Sequence, residues 1–499
     1  MADEQTKVTE LDDLEVDELV DSPKPKPFIK LVVLIAVVGF FFAGYNLSIY
    51  FDTVLMKQYL CSSAVYACDK SSAANTQATS TFNLIRTIQQ LVFLTSLIVG
   101  GAISDDLRTK FGNRAPMILG GAILAATGYA LAPFLLMIGT DLAVFSGSLA
   151  YLFIGVGIGF ALAPDYSLVS ELFTREERGW AGLGFVAMGA MGTGIGIVLE
   201  EVLVSPFAQD DIPWVLVFFT MAVLLIILGF LSFLFIPHAN PPFPPMDGVV
   251  KDILNTPKYM FTMGASNESN RDFLLLFLVT MLWGAGGFVL TTNLPNFMGE
   301  LNKLGYAEIT QGSILVLTGV VGGIFVVPVG WILTKVGKVK GAMIGTIIYG
   351  LFTFFLAQTA FWSDLAILSL VLFYGVGAVF IASVKVSLPA DLVPKGKEGQ
   401  FMGLILVAGG LLSPVAGFAV VVILNFTPND VLAGYSNVFL MTTLMQIIAI
   451  GLLSFMHYED QIESEYRRYY RRYLIFKGYL VDKTKVSLSR FTSSNKRRR

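Results

Sequence analysis

Apolar runs of about 20 residues recur along this chain, each long enough to cross roughly 30 Å of hydrocarbon as a helix. They lie near 29–51, 81–103, 116–138, 144–166, 180–204, 214–236, 272–295, 310–333, 341–361, 365–388, 401–425 and 437–457. In hydrocarbon every backbone N–H and C=O must find its partner within the segment, so runs of this length are helices. Of 499 residues, 55% are hydrophobic and only 14% charged, which excludes an ordinary soluble domain. The expectation is an all-α membrane protein of twelve transmembrane helices.

The segments between the runs carry the orientation. Residues 1–28 are acidic and closed by prolines, too polar to insert or to build a core, and no cleavable signal peptide is recognisable there. A disordered cytosolic tail is expected. Thirteen Lys and Arg lie in the links that share its side, against three, Lys57, Lys70 and Lys303, in the opposite links. By the positive-inside rule both termini are then cytosolic. The C-terminal tail, 458–499, sets twelve basic against five acidic residues among tyrosines and leucines, a composition suited to the anionic inner leaflet. Cys61 and Cys68 fall together in the first outer loop, where an oxidising exterior permits a disulfide and two free thiols are the alternative.

A proline-rich and then polar linker, 238–271, separates two halves, 29–237 and 272–457, and the halves resemble each other. A shift of 220 residues lays "SLVSELFTREERG" (167–179) on "SLPADLVPKGKEG" (387–399), with Arg175 falling on Lys395. "GAISDDLRTKFGNRAP" (101–116) has a weaker counterpart in "GWILTKVGKVK" (330–340), where Gly330 and Gly337 answer Gly101 and Gly112 and Thr334 stands where the acid belongs. Two parallel six-helix repeats imply a pseudo-two-fold axis along the membrane normal, an architecture of transporters.

The stretch at 101–116 resembles the loop between helices two and three of major facilitator transporters. It is most similar to the longer variant found in glycoside–pentoside–hexuronide cation symporters and their sucrose-transporter relatives. Gly101, Ser104, Asp105, Thr109, Gly112, Arg114 and Pro116 match, Lys110 is a like-charge match, and Asp106, Asn113 and Ala115 depart. The connection "PDYSLVSELFTREERG" also resembles that family. Physically, Gly101 lets helix two approach a neighbour, Asp105 offers a charge to a helix N-terminus, and Pro116 suits the first turn of helix three. The resemblance implies that Asp105 and Arg114 form a latch beside helix eleven that steadies the state closed to the cytosol; a solvated, positive-inside turn is the plainer alternative. With Thr334 in the second copy, any C-terminal latch is expected to be weaker.

Ionisable and amide side chains inside the runs are the candidates for solute contact, since each is costly in hydrocarbon unless paired or wet. Asn83, Arg86, Gln89 and Gln90 share one face of helix two at spacings of three and four. That stripe is expected to line a central cavity, the alternatives being that Arg86 snorkels outward or pairs with Asp52 or Glu200. Tyr45, Asn46 and Tyr50 on helix one, with Trp283 and Asn293 on helix seven, supply the rings and amides that sugar sites use. Asp52, Glu200 and Glu201 are the candidate coupling carboxylates. Asp165 and Lys385 are related by the 220-residue shift and have opposite charge, so a gate salt bridge is expected in the state closed at the cytosolic end. Its alternative is that each charge snorkels alone.

No phosphate-binding loop, zinc-type histidine pair or nucleophile motif is present, so neither an enzyme, a cofactor nor a metal is expected. The reading is a monomeric carrier of a small-molecule substrate in the cell membrane, in contact with lipids and not with nucleic acid. The family resemblance implies a sugar or glycoside, moved with a proton or sodium ion or by facilitated diffusion. A lysolipid or amphipathic organic anion held by Arg86 is one alternative, and a transporter-like nutrient receptor signalling through the C-terminal tail is another.

Overall fold

The computed structural model describes residues 28–52, 59, 73–137, 143–207, 212–236, 268–303, 305, 311–358, 362–393, 397–426 and 431–457. Cys61, Cys68, the C-terminal tail and most of the N-terminal tail and linker lie outside these. The described residues form α1 (Phe28–Tyr50), α2 (Ala73–Asp106), α3 (Ala115–Leu136), α4 (Ala143–Leu172), α5 (Arg175–Leu203) and α6 (Trp214–Phe235), followed by α7 (Glu268–Lys303), α8 (Gln311–Val336), α9 (Lys338–Leu356), α10 (Asp364–Leu392), α11 (Glu398–Leu411), α12 (Ser413–Phe426) and α13 (Val431–Ser454). Eleven spans among them are long and apolar enough to cross a membrane, and Val320–Val336 of α8 is a shorter apolar stretch.

Three helices depart from the hydropathy pattern for identifiable reasons. α2 and α7, at 34 and 36 residues, run about 51 and 54 Å at 1.5 Å per residue, so their polar ends continue past the hydrocarbon that hydropathy detects. The run at 401–425 is not one helix. It breaks at Leu412 into α11 and α12 of 14 residues each, because Pro414 has no N–H to give and its ring crowds the carbonyl four residues back.

The links at one end are built by local chemistry. Gly112 and Gly337 hold φ of 83° and 94°, a region only glycine enters cheaply, and turn the chain into α3 and α9. Pro116 sits in the first turn of α3. α5 opens on a capping box, where Glu177 N–H donates to Thr174 Oγ1 at 3.4 Å and Thr174 N–H donates to Glu177 Oε2 at 3.0 Å. These links hold Arg108, Lys110, Arg114, Arg175, Arg178, Lys335, Lys338 and Lys397, so this is the basic end of the molecule.

The two halves pack alike. In the first, α1 packs on α4, α5 and α6, α2 on α4, and α3 on α4 and α6. In the second, α7 packs on α10, α11, α12 and α13, α8 on α10, and α9 on α10 and α13. Each has an aromatic knot at the end away from the basic links: Phe51, Tyr59, Tyr129, Trp214 and Phe218 in one, and Phe297, Trp362, Tyr435 and Phe439 in the other, mostly edge to face. Between halves, α2 meets α11 and α5 meets α8 and α10.

Candidate functional site

At the far end of α1 the chain makes one further turn, which carries Asp52 into the first bundle, where it is buried. Three helices supply donors to it. Gln89 Nε2 of α2 donates to Oδ2 at 2.9 Å, and the Tyr129 and Tyr151 hydroxyls of α3 and α4 donate to Oδ1 at 2.8 and 3.3 Å. Arg86, one turn from Gln89 on α2, is close enough for its charge to act on this carboxylate. The cluster unites Asp52, Arg86 and Gln89 from the sequence reading and adds Tyr129 and Tyr151, which gave no signal because tyrosines in an apolar run read as core.

The remaining solute-contact candidates are scattered. Gln90 turns to the other bundle, its Nε2 lying beside Gly410 of α11. Asn46 Nδ2 donates to its own helix at Phe42 O (2.9 Å), and Asn293 Nδ2 to Val289 O (2.8 Å) and Thr292 Oγ1 (3.0 Å). The Trp283 indole N–H donates to Thr346 Oγ1 of α9 at 3.0 Å, with the residue buried inside the second bundle. The side chain of Asn83, on α2, is outside the described set. Glu200 accepts a hydrogen bond from the Tyr50 hydroxyl, whereas Glu201 is exposed.

At the basic end, Asp105 joins the halves. Its two oxygens accept from the backbone N–H groups of Gly399 and Gln400, each at 2.9 Å, in the first turn of α11. Arg114 Nη2 donates to Asp105 at 2.6 Å, and Arg114 Nε donates to Glu171 at 2.9 Å. Burial opposes the charge on Arg114, but Glu171 and then Asp105 outweigh it and hold the guanidinium above its ordinary pKa. Gly101 permits the approach, since a Cβ there would run into the Gly399 carbonyl.

A second ionic cluster spans the same end. Arg178 Nη1, at the start of α5, donates to Asp391 Oδ1 and Ala390 O of α10, both at 2.8 Å. Lys338 of α9 pairs with the other Asp391 oxygen and donates to Arg175 O across the halves at 3.3 Å. Glu171 and Asp391 are mates under the 220-residue shift, so each half pairs the acid ending its fourth helix with the base opening its third. The C-terminal contact therefore exists despite Thr334, because Asp391 and Arg178 make it.

The expected Asp165 to Lys385 salt bridge is not formed, although the halves are joined at this end. Both Asp165 oxygens are buried with no hydrogen-bond partner, and the Lys385 ammonium lies 5.8 Å from the centroid of the Trp283 ring. The two side chains share no hydrogen bond or salt bridge. Symmetry mates sit at matched heights on α4 and α10, but matched height does not aim two side chains at each other. Among the described residues, no group of three or more His, Cys, Asp or Glu side chains is placed to hold a metal ion.

Among the described residues, eleven membrane-length spans and a shorter apolar one in two like-packed halves, with polar clusters between helices and a joined basic end, define a polytopic membrane protein. The sequence profile of the Major Facilitator Superfamily matches residues 31–417, and the chain belongs to that superfamily of transporters. No curated protein matches the sequence. Among solved structures, the human organic anion transporter MFSD10 (TETRAN) is similar over 86% of this chain and 100% of its own, at 16% identity and TM-score 0.62. The E. coli fucose:proton symporter FucP matches at 13% identity and TM-score 0.62, covering 86% of this chain and 98% of its own. The proton:xylose symporter XylE matches at 16% identity and TM-score 0.58, covering 86% and 96%. At such identities the likeness is one of fold.

Proposed function

We propose that this superfamily member moves a small organic solute by alternating access, with the basic end facing the cytosol of the cell membrane and closed in this structure. One observation carries the reading: the cross-bundle hydrogen bonds of Asp105, Arg178 and Lys338 all lie at the basic end. A carrier that rocks two bundles about a central site needs contacts that are made in one facing and lost in the other.

Coupling to a proton or sodium ion belongs to Asp52 rather than Glu200 or Glu201. Asp52 is buried among donors from three helices with Arg86 nearby, whereas Glu200 is engaged by Tyr50 and Glu201 is exposed. A sugar is the solute that the names of FucP and XylE support. The geometry favours a second reading, an organic anion, because Asn46, Asn293 and Trp283 direct their N–H donors inside their own bundles. The name of MFSD10 supports the same class. Uptake into proteoliposomes, with sugars and organic anions offered in parallel across pH and sodium gradients, tests both. The Asp52→Asn protein is expected to keep solute exchange while losing the response to the gradient. An unchanged response would remove Asp52 from coupling.

A further inference from the structure

We propose that Lys385, with the indole of Trp283 beside it, anchors an anionic group of the transported solute, so that the solute is an organic anion with an apolar body; this rests on the transport reading above. α10 is an apolar membrane-spanning helix, and a lysine inside it is costly unless it is paired, wet or able to snorkel out. The structure argues against snorkelling and pairing.

Around α10 the lipid-facing stripe is marked by exposed Leu365, Leu368, Leu372 and Phe373. At about 100° per residue, Lys385 sits roughly half a turn round the axis from that stripe, so it points into the molecule. The direction of its side chain argues against snorkelling. Lys385 is six residues, about 9 Å of helix, from Asp391 at the basic end. Trp283 is eleven residues, about 16 Å, past Asp272, whose carboxylate accepts from His457 N–H at the same end. An ammonium 5.8 Å from the Trp283 ring therefore reaches toward mid-membrane, away from the nearer water.

Among the described residues Lys385 is in no salt bridge, and Asp165, its symmetry mate, has no hydrogen-bond partner. The ring gives cation–π attraction, which neither neutralises an ammonium nor satisfies its three donors. Trp283 is itself fixed by its bond to Thr346, so the ring is a rigid wall beside the charge. Oxygens of a carboxylate, sulfonate or phosphate supply both the opposite charge and the acceptors. The indole and the apolar interior of α7 and α10 then suit an aromatic or aliphatic body and disfavour a neutral polyol.

The test uses the purified full chain and three anions, phenylacetate, benzenesulfonate and phenyl phosphate, each beside its neutral counterpart phenylacetamide, benzenesulfonamide or phenol. At least one anion is expected to raise Tm where its neutral counterpart does not. Lys385→Met is expected to lose about tenfold or more in affinity for that anion, as for removal of a charge-assisted hydrogen bond, while Lys385→Arg keeps most of it. Without ligand, the Met protein is expected to melt no lower than wild type, because an unpaired charge inside an apolar span has been removed. The proposal is overturned if no anion shifts the wild type, if Lys385→Met binds the anion as tightly, or if Lys385→Met alone lowers Tm. Proteoliposome uptake of the same compounds separates the two readings. Neutral solutes that move while anions do not would sink the anchor and keep the carrier; anions that bind through Lys385 but never move would keep the anchor and sink the carrier.

Discussion

Asp105 accepts from Arg114 in its own bundle and from two backbone N–H groups of the other, and it is buried while doing so. Hydrogen bonds to a charged group contribute about 1.5–3 kcal/mol, and 1.4 kcal/mol moves an equilibrium tenfold. Asp105→Asn keeps the shape and removes the charge, so the basic-end-open form is expected to gain about tenfold or more. Faster thiol labelling of a cysteine placed at Ser383, buried against Gly182 at this interface, would report it in a background without Cys61 and Cys68. Labelling at the wild-type rate would leave Asp105 a topological residue. Asp165 and Lys385 lead to the opposite expectation. Since the two side chains share no hydrogen bond or salt bridge, a double-mutant cycle with Asp165→Asn and Lys385→Met should show coupling below about 0.5 kcal/mol in Tm-derived stability, as for independent sites. A larger coupling would restore the gate pair.

The helices themselves were legible because hydrocarbon leaves the backbone no alternative, and the links because Gly112, Gly337 and Pro116 have few other uses. What hydropathy could not register is where a helix leaves the hydrocarbon, as α2 and α7 do, or where a proline inside an apolar run interrupts it, as Pro414 does. The site was less legible for a related reason. Apolar runs conceal Tyr129 and Tyr151, whose hydroxyls matter only once three helices bring them to Asp52. Glu171 and Asp391 were within reach, being an acid on an acid in the aligned repeat, but reading the Asp105 motif alone passes over partners supplied by another helix. Helix approach carries its own prediction. Gly101 meets the Gly399 backbone, and Gly182 meets that of Ser383, so Gly101→Val and Gly182→Val should each hold the basic end apart while the bundles stay folded. Ser383→Cys labelling should quicken in the first, and transport should fall in both. Normal transport in both would mean that the backbone contacts are dispensable.

At the scale of the molecule, two contacts that we propose as latches join the halves at one end: Asp105 of the first half on the N-terminus of α11, and Arg178 of the first half on Asp391 of α10. They share no side chain. If the bundles rock as rigid bodies, opening breaks both together, and each latch contributes its free energy to one and the same equilibrium. Contributions of separate sites to a single equilibrium add within about 0.5 kcal/mol. Arg178→Gln removes the cross-bundle charge while leaving Lys338 paired with Asp391, so it weakens the latch without unpairing that buried carboxylate. The double variant Asp105→Asn with Arg178→Gln should then open the basic end by the product of the two single factors. Distances between spin labels on the basic ends of α4 and α10 measure the populations directly. If the double variant is no more open than the more open single variant, one latch already controls the whole end, and the bundles bend rather than rock.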